Sequence, residues 1–230
     1  MKFIWLGHGS ARIESGEAVL LIDPWLTGNP VLPEVSHDAA VEGATHILLT
    51  HGHFDHIIDV LPLAKRLSVP VVGQYDLMGY WEESEGISTV GFNKGGTVDL
   101  NGVAVTMVPA SHSSTVGKPE GPDCIGTECG FMLKAEGKCV YFSGDTDIMA
   151  DMAWMGEYHA PDVGILSAGG HFTMDMKAAA WCAQKYFNFK TVIPVHYGSF
   201  PILAQNADEL IAGLPGVEVK TPGVMEAIDL

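Results

Sequence analysis

The sequence predicts an α/β fold in which two β-sheets carry helices on their outer faces. Three observations point to it. Short β-type runs gather before residue 50 and again between residues 97 and 142. Elsewhere, stretches of helical period alternate with short buried strands, the pattern of strand–helix crossovers. No internal repeat, low-complexity segment or linker-like stretch divides the 230 residues, and 47% of them are hydrophobic, so residues 1–230 are expected to form one large domain.

Taken in order, the first third reads as a meander. Residues 3–6, 11–14 and 18–22 are β-type runs separated by Gly7-His8-Gly9-Ser10 and Ser15-Gly16-Glu17, both good turn chemistry. Asp23-Pro24 ends the third run, and a loop rich in Pro and Gly, residues 24–43, follows with a solvated His37. Residues 45–50 (THILLT) form a buried strand. Ile57, Leu61, Ala64 and Leu67 then recur at helical spacing, residues 69–72 make another buried strand, and residues 75–83 a helix. Strands dominate again at residues 97–100, 103–108, 124 or 125 to 135, and 139–142. Asn101-Gly102 is a strong hairpin signal, and Glu136-Gly137-Lys138 supplies a second turn. A helix is expected to begin near Ile148, and residues 163–168 and 191–195 are buried strands. The loop 113–123, with two glycines and two prolines, is a candidate lid whose one base is Lys118.

Composition narrows the function. Lys and Arg number 12 against 28 Asp and Glu, a net charge of −16, which repels polyanions and makes nucleic acid a poor partner. Four cysteines (Cys124, Cys129, Cys139, Cys182) with no C-x-x-C pair read as free thiols of a reducing cytoplasm. The apolar start, Phe3 to Gly7, is too short for a signal peptide. No stretch reaches the ~18 apolar residues of a spanning helix, so a soluble cytoplasmic protein without membrane insertion is expected. Met149, Met152 and Met155 would suit the interface of a homo-oligomer. Trp25, Trp81, Trp154 and Trp181 read as core or interface residues. A P-loop, a Gly-x-Gly-x-x-Gly and a Gly-x-Ser-x-Gly are all missing, so neither a nucleotide cofactor nor a serine nucleophile is implied.

The chemistry is concentrated in Thr50-His51-Gly52-His53-Phe54-Asp55-His56, where a buried strand gives way to a helix. Neutral imidazole and ionised carboxylate are the usual ligands of divalent first-row metals, and a strand end and a helix start can aim such groups into one pocket. His112 follows the end of another strand, and beside His51 and His53 it completes the three-ligand pattern of a site with one open position. Two further strands run into Ser143-Gly144-Asp145 and Pro194-Val195-His196-Tyr197. The alternative for Asp145 is the N-cap of the following helix, a role that Thr146 or Asp147 could fill just as well, which leaves Asp145 the more economical ligand.

His51-x-His53-x-Asp55-His56, followed by His112, Asp145 and His196, resembles the signature of the metallo-β-lactamase superfamily of metal-dependent hydrolases. The resemblance runs from Asp23 to His196. Trp5-Leu6-Gly7-His8-Gly9-Ser10, Leu21-Ile22-Asp23-Pro24-Trp25-Leu26 and Pro194-Val195-His196-Tyr197-Gly198-Ser199-Phe200 look most like the branch that includes ascorbate-6-phosphate lactonase. It implies a four-layer αββα sandwich, the metallo-β-lactamase fold, with metals between the sheets at one edge. It implies two divalent ions, one on His51, His53, His112 and Asp145, the other on Asp55, His56, Asp145 and His196. Asp145 would bridge them and Asp23 would brace the loop, the alternative for Asp23 being an ordinary Asp-Pro turn. Zinc is the first expectation; Mn, Fe, Ni or Co suit the same ligands.

Such a site implies a hydrolase that directs a metal-bridged hydroxide at a small-molecule lactone or ester. Asp55 is expected to carry the proton. His171, at a strand-to-helix junction, is expected to contact substrate or a ligand, and Tyr197 either donates to an oxyanion or packs as an aromatic. His8 is equally a solvated turn residue or a neighbour of the site, and His46 and His159 read as structural or exposed. Two alternatives stand beside this reading: a phosphodiesterase, poorly served by a chain with only Arg12 and Arg66 as arginines, and a non-hydrolytic di-metal binding or redox domain.

Overall fold

The computed structural model describes residues 1–116 and 126–230, and the chain folds as two mixed seven-stranded sheets flanked by helices. The first sheet is built from β1 (Lys2–Trp5), β2 (Ala11–Ser15), β3 (Ala18–Ile22), β4 (His46–Leu48), β5 (Val71–Gln74) and β6 (Thr89–Phe92). The second takes β7 (Thr97–Leu100), β8 (Val103–Pro109), β9 (Cys129–Ala135), β10 (Lys138–Phe142), β11 (Val163–Ser167), β12 (Thr191–Val195) and β13 (Glu218–Val219). β14 (Ala227–Asp229) returns to pair antiparallel with β1 and closes the first sheet's edge.

Alternation along the strands decides what each face buries. Phe3 and Trp5, Leu20 and Ile22, Leu48 and Val72 pack into the core between the sheets, against Val105, Phe131, Leu133, Val140 and Ile165. Their neighbours Leu21, Ile47, Leu49 and Val71 face outward, onto Val60 and Leu63 of α3 (Val60–Leu67) and Leu77, Met78 and Trp81 of α4 (Tyr75–Glu85). α1 (His37–Val41) adds Ala40 and Val41 to that layer. On the other side Met152 and Met155 of α5 (Met152–His159) and Ala179, Cys182 and Ala183 of α6 (Met176–Tyr186) cover the second sheet, with α7 (Asp208–Gly213) beside α6. The result is the expected helix–sheet–sheet–helix layering.

Direction of the strands positions the site. β1 and β3 each run antiparallel to β2, and β3 is parallel to β4. β8 and β10 each run antiparallel to β9, while β10, β11 and β12 are parallel. Residues that follow β1, β3 and β4 therefore emerge at one end of the first sheet, and those after β8, β10, β11 and β12 at one end of the second. Both hairpins marked by turn chemistry form: Asn101-Gly102 and Glu136-Gly137 have positive φ at both central residues, as type I′ turns require.

Several elements depart from expectation. The helix foreseen over 57–67 is two pieces, α2 (Phe54–Ile57) and α3, because the Asp59 carboxylate accepts from the Leu26 and Thr27 backbone N–H groups and from Thr27 Oγ1. The loop 24–43 contains a 3-10 turn, Glu34–Ser36, and α1, and His37 is half-buried in it rather than solvated. The helix expected near Ile148 begins at Met152, since Asp147 caps the Ile148 N–H and Thr146 Oγ1 is taken by Ser111 and Asp147 backbone groups. β9 begins at Cys129. Cys124, Lys118 and most of the candidate lid lie outside the described residues. Cys129, Cys139 and Cys182 are buried free thiols, and burial pushes Cys182 up to about 12. Among the described residues, no helix is long and apolar enough to cross a membrane.

Candidate metal centre

Asp23 organises the centre. The residue is fully buried, in a left-handed conformation (φ 48°) at the end of β3. Its Oδ1 accepts from the Thr50 N–H at 2.7 Å and its Oδ2 from Thr50 Oγ1 at 2.5 Å and His56 Nδ1 at 2.8 Å. The bracing role, not an ordinary Asp-Pro turn, is what this geometry describes. With its own hydrogen given to Asp23, Thr50 Oγ1 accepts from His51 Nδ1 at 2.9 Å. Both rings thus carry their protons on Nδ1 and turn bare Nε2 lone pairs to the pocket.

Two groups of donors result. His53 Nδ1 lies 3.1 Å from His51 Nε2 and 3.2 Å from His112 Nε2. One proton on His53 can serve only one of these neighbours. Ligand atoms on a tetrahedral ion with bonds of ~2.0–2.1 Å stand about 3.3 Å apart, so the spacing is that of a cation cradle. The second group is His56 Nε2 and His196 Nε2, each 3.7 Å from Asp55 Oδ2. Asp145 Oδ2 stands between the groups, 3.0 Å from His196 Nε2, 3.4 Å from His56 Nε2, 3.7 Å from His112 Nε2 and 3.9 Å from His51 Nε2. The structure thus brings together all seven residues expected as ligands, His51, His53, Asp55, His56, His112, Asp145 and His196.

The donor set fits divalent metal on an observation independent of the motif. His56 Nε2 and His196 Nε2 are buried where no N–H or O–H group reaches them, facing the carboxylates of Asp145 and Asp55. A buried nitrogen lone pair left without a partner costs about 1–3 kcal/mol unless a proton or a cation binds it. Electrostatics tie the groups together. Burial opposes charge on Asp145, yet the imidazoles of His196 and His56 hold its carboxyl well below the usual range. Burial likewise opposes a proton on His196, and Asp145 and Asp55 outweigh it, raising the imidazole to about 9. Burial drives His51 well down, with His56 adding to it. Perturbed groups concentrated this way mark a functional site.

The remaining expected residues divide. His171, in a left-handed conformation (φ 56°), is exposed, touches Phe172 edge-to-face and joins neither donor group. Tyr197 is buried and stacked on Trp5 with centroids 5.1 Å apart, the packed-aromatic arrangement. His46 is half-buried on Thr45, and His159 packs against Trp154 and Tyr158. Trp154 and Trp181 are substantially exposed. His8 lies at the site and is fully buried. Sequence reasoning missed Ser199, which holds His8, and an aromatic wall in which Trp25 contacts His8, Phe54 and Phe200. Phe54, flanked by His53 and Asp55, is 60% exposed; a large apolar side chain inside a ligand motif was the available signal.

Comparison with known proteins identifies the family and the fold. The model of the family described as a beta-lactamase superfamily domain matches residues 19–197. A UPF0173 metal-dependent hydrolase of Ruegeria pomeroyi is 73% identical over the full length of both chains. Among solved structures, the metallo hydrolase Igni18 of the archaeon Ignicoccus hospitalis is 28% identical, with a TM-score of 0.86 over 99% of this chain and 97% of its own. CmlA, a diiron beta-hydroxylase of Streptomyces venezuelae, shares the fold at 14% identity and a TM-score of 0.73, over all of this chain and 54% of its own.

Proposed function

Since the chain belongs to the beta-lactamase superfamily of metal-dependent hydrolases, we propose that its centre holds two divalent ions, zinc foremost, and opens a small-molecule lactone or an uncharged ester. The observation that carries the two-ion reading is Asp145 Oδ2, within 3.0–3.9 Å of imidazole nitrogens from both donor groups. His51, His53 and His112 would hold one ion and Asp55, His56 and His196 the other, with Asp145 on both. Ions held there supply Lewis acidity toward a carbonyl oxygen and lower the pKa of water.

The chain's own residues do the rest. Asp55 is the most exposed of the three carboxylates, half-buried where Asp145 and Asp23 are sealed, and it would accept the proton of the attacking water and return it to the leaving oxygen. His171 and Phe172 are exposed beyond β11 and are assigned to substrate contact at the rim. Tyr197 supports His196 through its stack on Trp5 and is not assigned to the oxyanion.

Substrate charge follows from the surroundings. Arg12 is spent on Glu14 and the Ala40 and Glu42 carbonyls, and Arg66 on Asp38. The wall beside the centre is aromatic, made by Trp25, Phe54 and Phe200. Among the described residues these surroundings suit an uncharged acyl group better than a phosphodiester, whose oxygens need cationic partners. The lactone assignment also follows the resemblance to the ascorbate-6-phosphate lactonase branch. The metal-loaded protein should hydrolyse five- and six-membered lactones or p-nitrophenyl esters faster than bis-(p-nitrophenyl) phosphate. Turnover of the phosphodiester alone would replace this reading. Two irons with a charge-transfer absorption and no hydrolysis would favour the redox chemistry of CmlA instead.

A further inference from the structure

We propose that His8 is a positioning residue that locks Asp55 in place from behind, with Ser199 fixing the tautomer of the ring. The proposal rests on the two-ion reading above and concerns groups outside the expected ligand set. His8 sits in the turn between β1 and β2, fully buried and in a left-handed backbone conformation (φ 52°) that a residue with a side chain adopts at a cost of about 1–2 kcal/mol. Strain of this kind persists where surrounding structure demands it.

Four contacts make that demand. Ring Nε2 is 2.8 Å from Asp55 Oδ2, and Nδ1 is 2.5 Å from Ser199 Oγ. The His8 carbonyl accepts from the His196 backbone N–H at 2.8 Å and from Trp5 Nε1 at 2.9 Å. The turn has no slack, since a Cβ at Gly9 would lie 2.7 Å from His56 Cε1.

The hydrogen bonds assign the roles. Asp55 as a carboxylate only accepts, so the proton of His8 is on Nε2, and Nδ1 accepts from the Ser199 hydroxyl. Both nitrogens are then used, which separates His8 from the ligands His56 and His196 although its ring centroid lies 3.8 Å from that of His196, the two planes tilted by 44°. One buried imidazole thus ties Asp55 through its ring and His196 through its carbonyl. A carboxylate without this partner turns freely about its Cβ–Cγ bond, and the ligand oxygen loses its fixed distance from His56 and His196.

The test uses the two amides, which mimic different ends of imidazole. His8→Gln can present its amide N–H where Nε2 stood; His8→Asn tolerates the left-handed backbone but replaces only the Nδ1 end and cannot reach Asp55. Zinc affinity is titrated against a competing chelator, with no substrate present. His8→Asn is expected to weaken the less tightly held zinc by about 10- to 100-fold while His8→Gln recovers most of the loss. On whichever ester the protein turns over, kcat should fall with the affinity and KM should change less. Wild-type affinity for both zinc ions in folded His8→Asn, or equal impairment in His8→Gln, overturns the proposal. If His8→Asn does not fold, Ser199→Ala decides: weaker binding of one zinc supports the relay and unchanged binding refutes it. The metal readout is independent of catalysis, so a protein that binds two zinc ions and hydrolyses nothing fails as a hydrolase without touching this inference.

Discussion

Asp145 and Asp23 are both sealed from solvent among histidines, yet they do different work. Asp145 offers one oxygen to imidazoles of two donor groups, whereas Asp23 spends both of its oxygens on N–H and O–H donors of the loop. Replacing Asp145 by Asn should remove the shared anion and leave the Nε2 atoms of His51 and His112 without the carboxylate that faces them, while Asp55 still faces His56 and His196. Metal content measured by mass spectrometry should drop below one ion per chain, and turnover should fall by more than about 100-fold. Asp23→Asn should act differently, because an amide nitrogen would face the donors Thr50 Oγ1 or His56 Nδ1. It should cost about 1–3 kcal/mol in chemical denaturation and lower metal affinity by about 10-fold. At this scale the motif residues were legible because few other uses explain so many imidazoles and carboxylates at strand ends. His8 was only half legible: a histidine between two glycines looks the same in sequence whether water or Asp55 lies beyond it.

Elements deliver these residues through strand ends, and the close approach of strands there leaves no room for side chains. A Cβ on Gly169 would lie 1.8 Å from the His196 carbonyl oxygen, so Gly169→Ala should push the end of β12 aside. A destabilisation of about 1–3 kcal/mol or more is expected by thermal denaturation. Gly79→Ala, inside α4 with nothing within 4 Å of the added methyl, should instead be neutral or stabilising by up to about 1 kcal/mol. The long strands were legible from alternation and from the two Gly-containing turns. The strands that escaped were β6, β13 and β14, of four, two and three residues, whose pairing partners β5, β12 and β1 supply the evidence that their own sequence lacks. The break between α2 and α3 escaped for a similar reason. Asp59 leaves the helix pattern to bind backbone more than thirty residues earlier, and no local periodicity records that contact.

For the whole molecule, a net charge of −16 and a centre full of orphaned imidazole nitrogens make bound cations part of the fold's stability. An ion present at about 1,000 times its dissociation constant stabilises by about 4 kcal/mol. For a chain of this size that is about 10 °C in Tm, so a strong chelator should lower the melting temperature by about that much and zinc should restore it. A melting temperature indifferent to chelation would mean that the cradle is not a metal site under those conditions. Two sheets meeting at their strand ends were foreseeable from the sequence, as was the placement of donors there; the aromatic wall of Trp25, Phe54 and Phe200 was not, because its three rings come from three separate segments of the chain.

Anomalous diffraction from crystals of the zinc-loaded protein, collected across the zinc absorption edge, tests the central claim most directly. Two peaks about 3.5–4 Å apart are predicted, one bonded to His51, His53 and His112, the other to Asp55, His56 and His196, with Asp145 reaching both. A single peak, or peaks away from Asp145, would contradict it.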